Sequence, residues 1–208
     1  MAKVEFFFDP ACPWAWLTSR WIRNVQAERP MKVEWRFIAL RIINEAKDYA
    51  TDFPEGYVRS HGRGLELLRV CAAVRQTDPE QVIDAYTAFG TIIHRERNAT
   101  ALDDEAGVAT ALTRFGLDGK FAAARLDSDF DGVIRGETAE ALSRCGGNVG
   151  TPIISWDLPE GPSFFGPVIS KAPVGPEAVL LWDAITELGS NPWFSELKRS
   201  TRSRPQFD

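Results

Sequence analysis

Cysteine and histidine are scarce in this chain, at three and two residues of 208. Cys12, Cys71 and Cys145 are too few and too widely spaced for a disulfide framework or a zinc site, so no metal is expected. Long hydrophobic runs are missing as well. No stretch approaches the roughly 18 apolar residues that a membrane-spanning helix needs, so no membrane partner is expected. The opening run Met1 to Phe8 is interrupted by Glu5 and stopped by Asp9-Pro10, too short for a signal-peptide core. The expected location is therefore the cytoplasm, where thiols stay reduced. Positive charge is in deficit, with 24 Lys and Arg against 29 Asp and Glu. A net charge of −5 repels polyanions, which excludes nucleic acid as the principal partner. The one basic cluster, Lys198 to Arg204, reads as a solvated tail.

Aromatic residues are plentiful, with seven Trp and thirteen Phe, and they call for a substantial core or an apolar groove. Val4 to Phe8 reads as a buried strand. Asp9-Pro10-Ala11 breaks it, and Pro13 suits the first turn of a helix from about 13 to 28, with Trp14, Leu17, Trp21 and Val25 on one face. Pro30 ends that helix, and Lys32 to Phe37 alternates like a strand. Strand, helix, strand at this spacing predicts a right-handed crossover with two parallel strands.

An irregular segment follows, Ala39 to Gly64, which holds Asn44, Tyr57 and His61. Helical patterns then run without a strand. Leu65 to Gln76 comes first, then a helix opened by Asp78-Pro79 with a Val82, Tyr86, Phe89, Ile93 stripe. Another is capped by Asp103, and a last one stops at Gly146-Gly147. Val149 to Trp156 and Ser163 to Gly166 restore strand character on either side of a Pro159-Glu160-Gly161-Pro162 turn, before a closing helix from Gly175. The expected organisation is an α/β protein in which residues 1–51 and 147–208 share one sheet and residues 52–146 form an all-helical insertion.

Cys12, at the start of the first helix, is the candidate nucleophile. Unpaired amides and the macrodipole at a helix N-terminus favour a thiolate, and such sites lower a cysteine pKa from about 8.5 to as little as 3.5–7.5. The dipole alone supplies only about one to two pKa units, so larger shifts need hydrogen bonds from the Trp14 or Ala15 amides. Cys71 and Cys145 lie on apolar helical faces and read as core packing.

Phe8-Asp9-Pro10-Ala11-Cys12-Pro13-Trp14-Ala15-Trp16, with Thr18 to Trp21, resembles the active-site helix of DsbA-family proteins. It is most like that of the actinobacterial mycothiol-dependent nitroreductase group. Val149-Gly150-Thr151-Pro152 is similar to that group's cis-proline loop. Phe164 to Val168, Ser170-Lys171, Glu196 to Arg199 and Pro205 to Asp208 also fit, so the likeness covers nearly the whole chain. It implies a thioredoxin-like fold with an all-helical insertion. It also implies a cis Pro152 facing Cys12, the Thr151 backbone presented to a bound thiol, and a substrate groove lined by Trp14, Asn44 and Tyr57. Trp21 reads as core, His94 falls in a helical stretch that matches the group, and His61 has only its loop. The implied co-reactant is a low-molecular-weight thiol, mycothiol by resemblance, acting on a disulfide or aromatic substrate. Ala15 stands where redox-active members carry a second cysteine, so no internal Cys-Cys disulfide can form there.

Three readings follow. The first is a monothiol disulfide oxidoreductase using the Cys12 thiolate, with nitroaromatic compounds among its acceptors. The second resembles kappa-class glutathione transferases and 2-hydroxychromene-2-carboxylate isomerases, with Cys12 polarising a bound thiol. The third is a redox-inactive binding module. The oligomeric state, monomer or homodimer, is not specified.

Overall fold

The computed structural model describes residues 3–147, 149–157, 160–199, 201 and 203–207. Met1 and Ala2 of the opening run, Pro159 of the expected turn, Ser200 and Arg202 of the basic cluster and Asp208 of the family-like ending lie outside them. In chain order the strands and α-helices are β1 (Lys3–Phe8), α1 (Pro13–Glu28), β2 (Lys32–Phe37), α2 (Leu40–Ile43), α3 (Tyr57–Thr77), α4 (Val82–Gly90), α5 (Glu105–Arg114), α6 (Asp131–Cys145), β3 (Ile153–Trp156), β4 (Ser163–Phe165) and α7 (Gly175–Gly189). The sheet order is β2-β1-β3-β4. β1 and β2 run parallel in the register Lys3 opposite Lys32 to Phe8 opposite Phe37, and β3 is antiparallel to both β1 and β4. Among the described residues, all regular structure between β2 and β3 is helical.

β1 is apolar almost throughout because both of its faces are covered. Val4, Phe6 and Phe8 join the main core with Trp16, Trp21, Trp35 and Tyr86, while Phe7 packs on the other face with Ile38, Ala141 and Ile153. Glu5 shares the Phe7 face, since side chains alternate along a strand. It is tolerated because Arg36 Nη1 and Arg144 Nη1 donate to its Oε2 at 2.9 and 2.7 Å. Burial pushes Glu5 up, but hydrogen bonds from Arg144 and Arg36 outweigh it and hold the carboxylate below its usual range. The same network docks α6, whose Glu137 accepts from Arg75 at 2.9 Å and from the Phe37 amide at 2.8 Å. On the opposite face α1 packs against α7, where Trp21 Nε1–H donates to the Ala178 carbonyl at 2.9 Å.

Several boundaries differ from those the sequence predicts. α3 starts at Tyr57, eight residues before the apolar pattern becomes readable at Leu65, because Tyr57 and Val58 are exposed and show no stripe. The cap of α5 is Asp104, which accepts from the Gly107 amide at 2.8 Å. Asp103 is occupied instead by Arg59 and Arg63, at 2.7 and 2.8 Å. The stripe ending at Ile93 leaves the α-helix at Gly90 and continues as one π-helical segment, Thr91–Arg95. The turn expected from Val149 feeds the strand as read, with β3 running from Ile153 to Trp156. Trp14 is half-buried and lies at the edge of the α1 core stripe.

Two glycines of α3 test how tightly it is seated. A Cβ at Gly64 would collide with the Asp9 carboxylate and lie 3.1 Å from its Cγ, whereas one at Gly62 meets nothing within 4 Å. In urea unfolding, Gly64→Ala is expected to cost about 1–3 kcal/mol through overpacking. Gly62→Ala should be neutral or stabilising by up to about 1 kcal/mol through helix propensity.

Candidate active site around Cys12

The turn between β1 and α1 is closed by its own polar groups. The Cys12 amide donates to the Asp9 carbonyl at 3.0 Å, and the buried Asp9 side chain accepts from the Ala11 amide at 2.8 Å. The other Asp9 oxygen accepts from the Leu40 amide at 2.7 Å, which ties the turn to the segment after β2. His94, on the π-helical segment, reaches the Pro10 carbonyl through Nε2 at 2.9 Å. Because a carbonyl only accepts, Nε2 carries the proton. The π turn, with the Glu96 amide on the Thr91 carbonyl, is what aims His94 inward.

Cys12 is the N-cap of α1, in extended conformation, with Pro13 at the first helical position. Its sulfur accepts from the Ala15 amide at 3.4 Å, and its S–H donates to the Thr151 carbonyl at 3.4 Å. The Thr151–Pro152 peptide is cis, the Thr151 hydroxyl lies 3.5 Å from the Phe7 carbonyl, and the Pro152 carbonyl accepts from the Gly166 amide at 2.8 Å. Cys12 is therefore in direct contact with both Ala15 and Thr151.

The electrostatics at the sulfur run opposite to the helix-start expectation. Cys12 is only 5% exposed. Burial pushes its thiol up to about 12; the Ala15 and Trp14 amides pull it down, and the charge of Asp9 adds to the rise. Both amides foreseen from the sequence are in place, but desolvation of the thiolate is the larger effect. In this closed arrangement Cys12 is a thiol. Asp9 is raised by burial to about 6 against the pull of the Leu40 and Ala11 amides. Burial lowers His94 to about 4, so its ring is neutral.

Of the other expected site residues, Asn44 is linked to the Asp9 turn through Leu40, and Tyr57 belongs to an aromatic group of its own. Asn44 is buried, and its amide side chain donates back to the Leu40 carbonyl at 2.8 Å, on the same residue whose N–H is held by Asp9. Tyr57, 44% exposed, belongs to an aromatic group with Tyr49, Phe53 and His61. In it Tyr49 OH meets His61 Nδ1 at 2.9 Å. Burial and the nearby Arg41 lower the pKa of His61. Trp21 is fully buried and holds α7. Cys71 is fully buried, with its thiol pushed far up, and the half-buried Cys145 is raised to about 11, both by burial. An open cleft of about 900 Å³ lies beside β2, lined by Arg23, Trp35, Arg75 and Ile83. None of the expected site residues lines it. Among the described residues no group of three or more His, Cys, Asp or Glu is arranged to hold a metal, and no helix is long and apolar enough to cross a membrane.

The sequence pattern of the Rv2466c-like group, described by the mycothiol-dependent nitroreductase Rv2466c, matches residues 11–199. The chain belongs to this family. An uncharacterized protein of Mycobacterium tuberculosis, Rv2286c, is 30% identical over an alignment of 206 residues that covers 96% of this chain and 82% of that protein. A probable DsbA oxidoreductase from Streptomyces coelicolor superposes with a TM-score of 0.60 at 16% identity, covering 96% of this chain and 94% of its own. A 2-hydroxychromene-2-carboxylate isomerase superposes at 0.58 with 15% identity, over 89% and 95%. The fold of this family member is thus the DsbA-like thioredoxin fold.

In the sequence Asp9 reads only as a strand breaker, and His94 shows no partner. An acid directly before Pro in a sharp turn was the available signal, since such acids bond the backbone two residues on. Nothing local marked His94, because its partner Pro10 is 84 residues away.

Neutral His94 makes stability depend on pH. Its folded pKa of about 4 lies below the ordinary 6.5, so the stability tied to the neutral ring is full above pH 6.5 and is lost as pH falls toward 4. Asp9 acts in the other direction. Raised from 3.8 to about 6, it contributes stability that is full below pH 3.8 and is lost as pH rises through 6. Comparison with His94→Gln isolates the first effect. Between pH 7 and 4, chemical denaturation should show wild type losing on the order of 3 kcal/mol relative to that variant.

Proposed function

We propose that this protein is a monothiol disulfide oxidoreductase, with Cys12 as its nucleophile and a low-molecular-weight thiol, mycothiol by family, as its reductant. The observation that carries this reading is the setting of one sulfur. Cys12 Sγ stands at the N-cap of α1, 3.4 Å from the Ala15 amide and 3.4 Å from the Thr151 carbonyl, with alanine where a second thiol would be. The donor set suits a thiol co-reactant: Cys12 offers the sulfur, and the Thr151 main chain lies beside it. A reducing compartment such as the cytoplasm fits this chemistry.

In the proposed reaction Cys12 gives up its proton, and its sulfur attacks one sulfur of a disulfide. A Cys12 mixed disulfide forms, and the other sulfur leaves as a thiolate. The low-molecular-weight thiol supplies the second sulfur that Ala15 cannot, regenerating Cys12 and departing as a disulfide. The Ala15 and Trp14 amides favour the thiolate once the sulfur is solvated. Nitroaromatic compounds enter as candidate acceptors through the family description alone.

A second reading draws on the S–H donated to Thr151. A protonated Cys12 can act as a fixed hydrogen-bond donor that polarises a bound thiol, without bonding covalently to it.

Intact-mass measurement after exposure to a panel of oxidised low-molecular-weight thiols separates the two. One adduct on Cys12 is expected, reversed by the reduced thiol and lost in Cys12→Ser. Rate enhancement toward an electrophile with no adduct would replace the first reading by the second. Ala15→Cys gives a further check, because helix residues three apart lie within the roughly 4.4–6.8 Å Cα range of a disulfide. In that variant the adduct should give way to an internal disulfide, two hydrogens lighter than the reduced protein.

A further inference from the structure

A nucleophile that is 5% exposed cannot meet a second sulfur without an opening movement. The elements around Cys12 differ in how firmly they are held. α1 is packed on the sheet and tied to α7 by Trp21, and Thr18 Oγ1–H donates to the Pro167 carbonyl at 2.7 Å. The Thr151–Pro152 loop is bonded to Phe7 and Gly166. The C-terminal segment lies outside the sheet and the helices, and among the described residues two hydrogen bonds join it to Ser170. The Gln206 amide donates to the Ser170 carbonyl at 2.8 Å, and Ser170 Oγ–H donates to the Ser203 carbonyl at 3.1 Å.

That segment ends on the active corner. The Phe207 ring lies 5.5 Å from the His94 ring at 31°, and His94 in turn stacks on Trp16 at 6.0 Å. His94 also holds the Pro10 carbonyl, so its two inner partners, Pro10 and Trp16, bracket Cys12 in the chain. Phe207 is partly buried against the core cluster that contains Cys12, although the residues leading to it, from Ser195 to Leu197, are exposed and outside any helix or strand. An aromatic anchor on a segment outside the helices and strands can leave without disturbing the sheet or α1.

We propose that residues 203–207 form a displaceable strap: with Phe207 seated on His94 the strap keeps Cys12 closed, and its release opens the sulfur to a bulky thiol or disulfide. This rests on Cys12 being the nucleophile of the proposed function. The closed state is then the resting form, and the strap sets the fraction of molecules able to react.

The test follows labelling of Cys12 in the whole protein, located by peptide mass mapping because Cys145 is also half-exposed. The probes are iodoacetamide, which is small, and 5,5′-dithiobis(2-nitrobenzoate), which is a bulky aromatic disulfide. Three variants release the strap. One is truncated after Thr201, Phe207→Ala removes the ring, and Gln206→Pro removes the amide donor. Phe207→Trp keeps an aromatic ring, and Leu197→Ala alters a residue that is 85% exposed and outside the strap. The release variants are expected to react at least about tenfold faster with the bulky probe, equivalent to about 1.4 kcal/mol in the opening equilibrium. The gain with iodoacetamide should be smaller, and the Trp and Leu197 variants should stay near the wild-type rate. If the truncated chain fails to fold, the two point variants decide.

Folded release variants that label at the wild-type rate would overturn the strap. If wild type and release variants form the oxidised-thiol adduct equally fast, the strap fails and the oxidoreductase reading stands. If the release variants label faster but no adduct forms in any of them, the strap stands and the oxidoreductase reading fails.

Discussion

A buried carboxylate holds the active corner together. Asp9 accepts from Ala11 on its own turn and from Leu40 beyond β2, and it lies against Gly64 of α3. Three parts of the chain that are distant in sequence therefore meet at one side chain with no cationic partner in its hydrogen bonds. Burying a carboxylate in this way is tolerated only because fixed amide donors replace its water. The arrangement demands glycine at position 64 and leaves the Pro10 carbonyl to be satisfied by His94. The shape of the turn, and with it the place of Cys12, follows from that demand.

At Cys12 two familiar effects compete, and their magnitudes decide the outcome. A helix N-terminus with direct amide donors favours a thiolate by a few kcal/mol at most, while full burial of a charge costs more. The sulfur therefore rests as a thiol that donates to Thr151. Opening to solvent removes the burial cost and leaves the amide donors where they are. Under the proposed function the same residue is inert when closed and nucleophilic when open, and ionisation gives up only the S–H bond to Thr151.

The fold was legible wherever one physical cause acted locally. The apolar run of β1, Pro13 at the start of α1 and the alternation of β2 predict the crossover unit, and the alternation of strand and helix patterns predicts the fold class. Elements whose surfaces are wet or whose partners are remote were not legible. The exposed first turn of α3 has no stripe, and Asp103 looked like a cap because its pairing with Arg59 and Arg63 lies some forty residues away in sequence. Around the site, the position of Cys12 and its amide donors could be read from the helix start. The burial that reverses their effect is a property of packing, which no local pattern encodes. Asn44 shows the same limit, because its side chain turns back to cap α2 at Leu40.

Under the proposed function, Ala15 gives the burial of Cys12 a chemical reason. In a dithiol motif the second cysteine can resolve an oxidised first sulfur as a disulfide, a reversible product. Here the position is filled by a buried methyl group, and Cys71 and Cys145 both lie within packed apolar clusters. A sulfur with no internal partner proceeds to irreversible sulfinic and sulfonic acids when it stays open as a thiolate. Burial that keeps the proton on Cys12 limits this loss, and in the proposed strap mechanism exposure to a second sulfur directs the chemistry to exchange. On that proposal the burial of Cys12 and the alanine at position 15 are two sides of one constraint: a single sulfur that reacts from outside has to be protected from within.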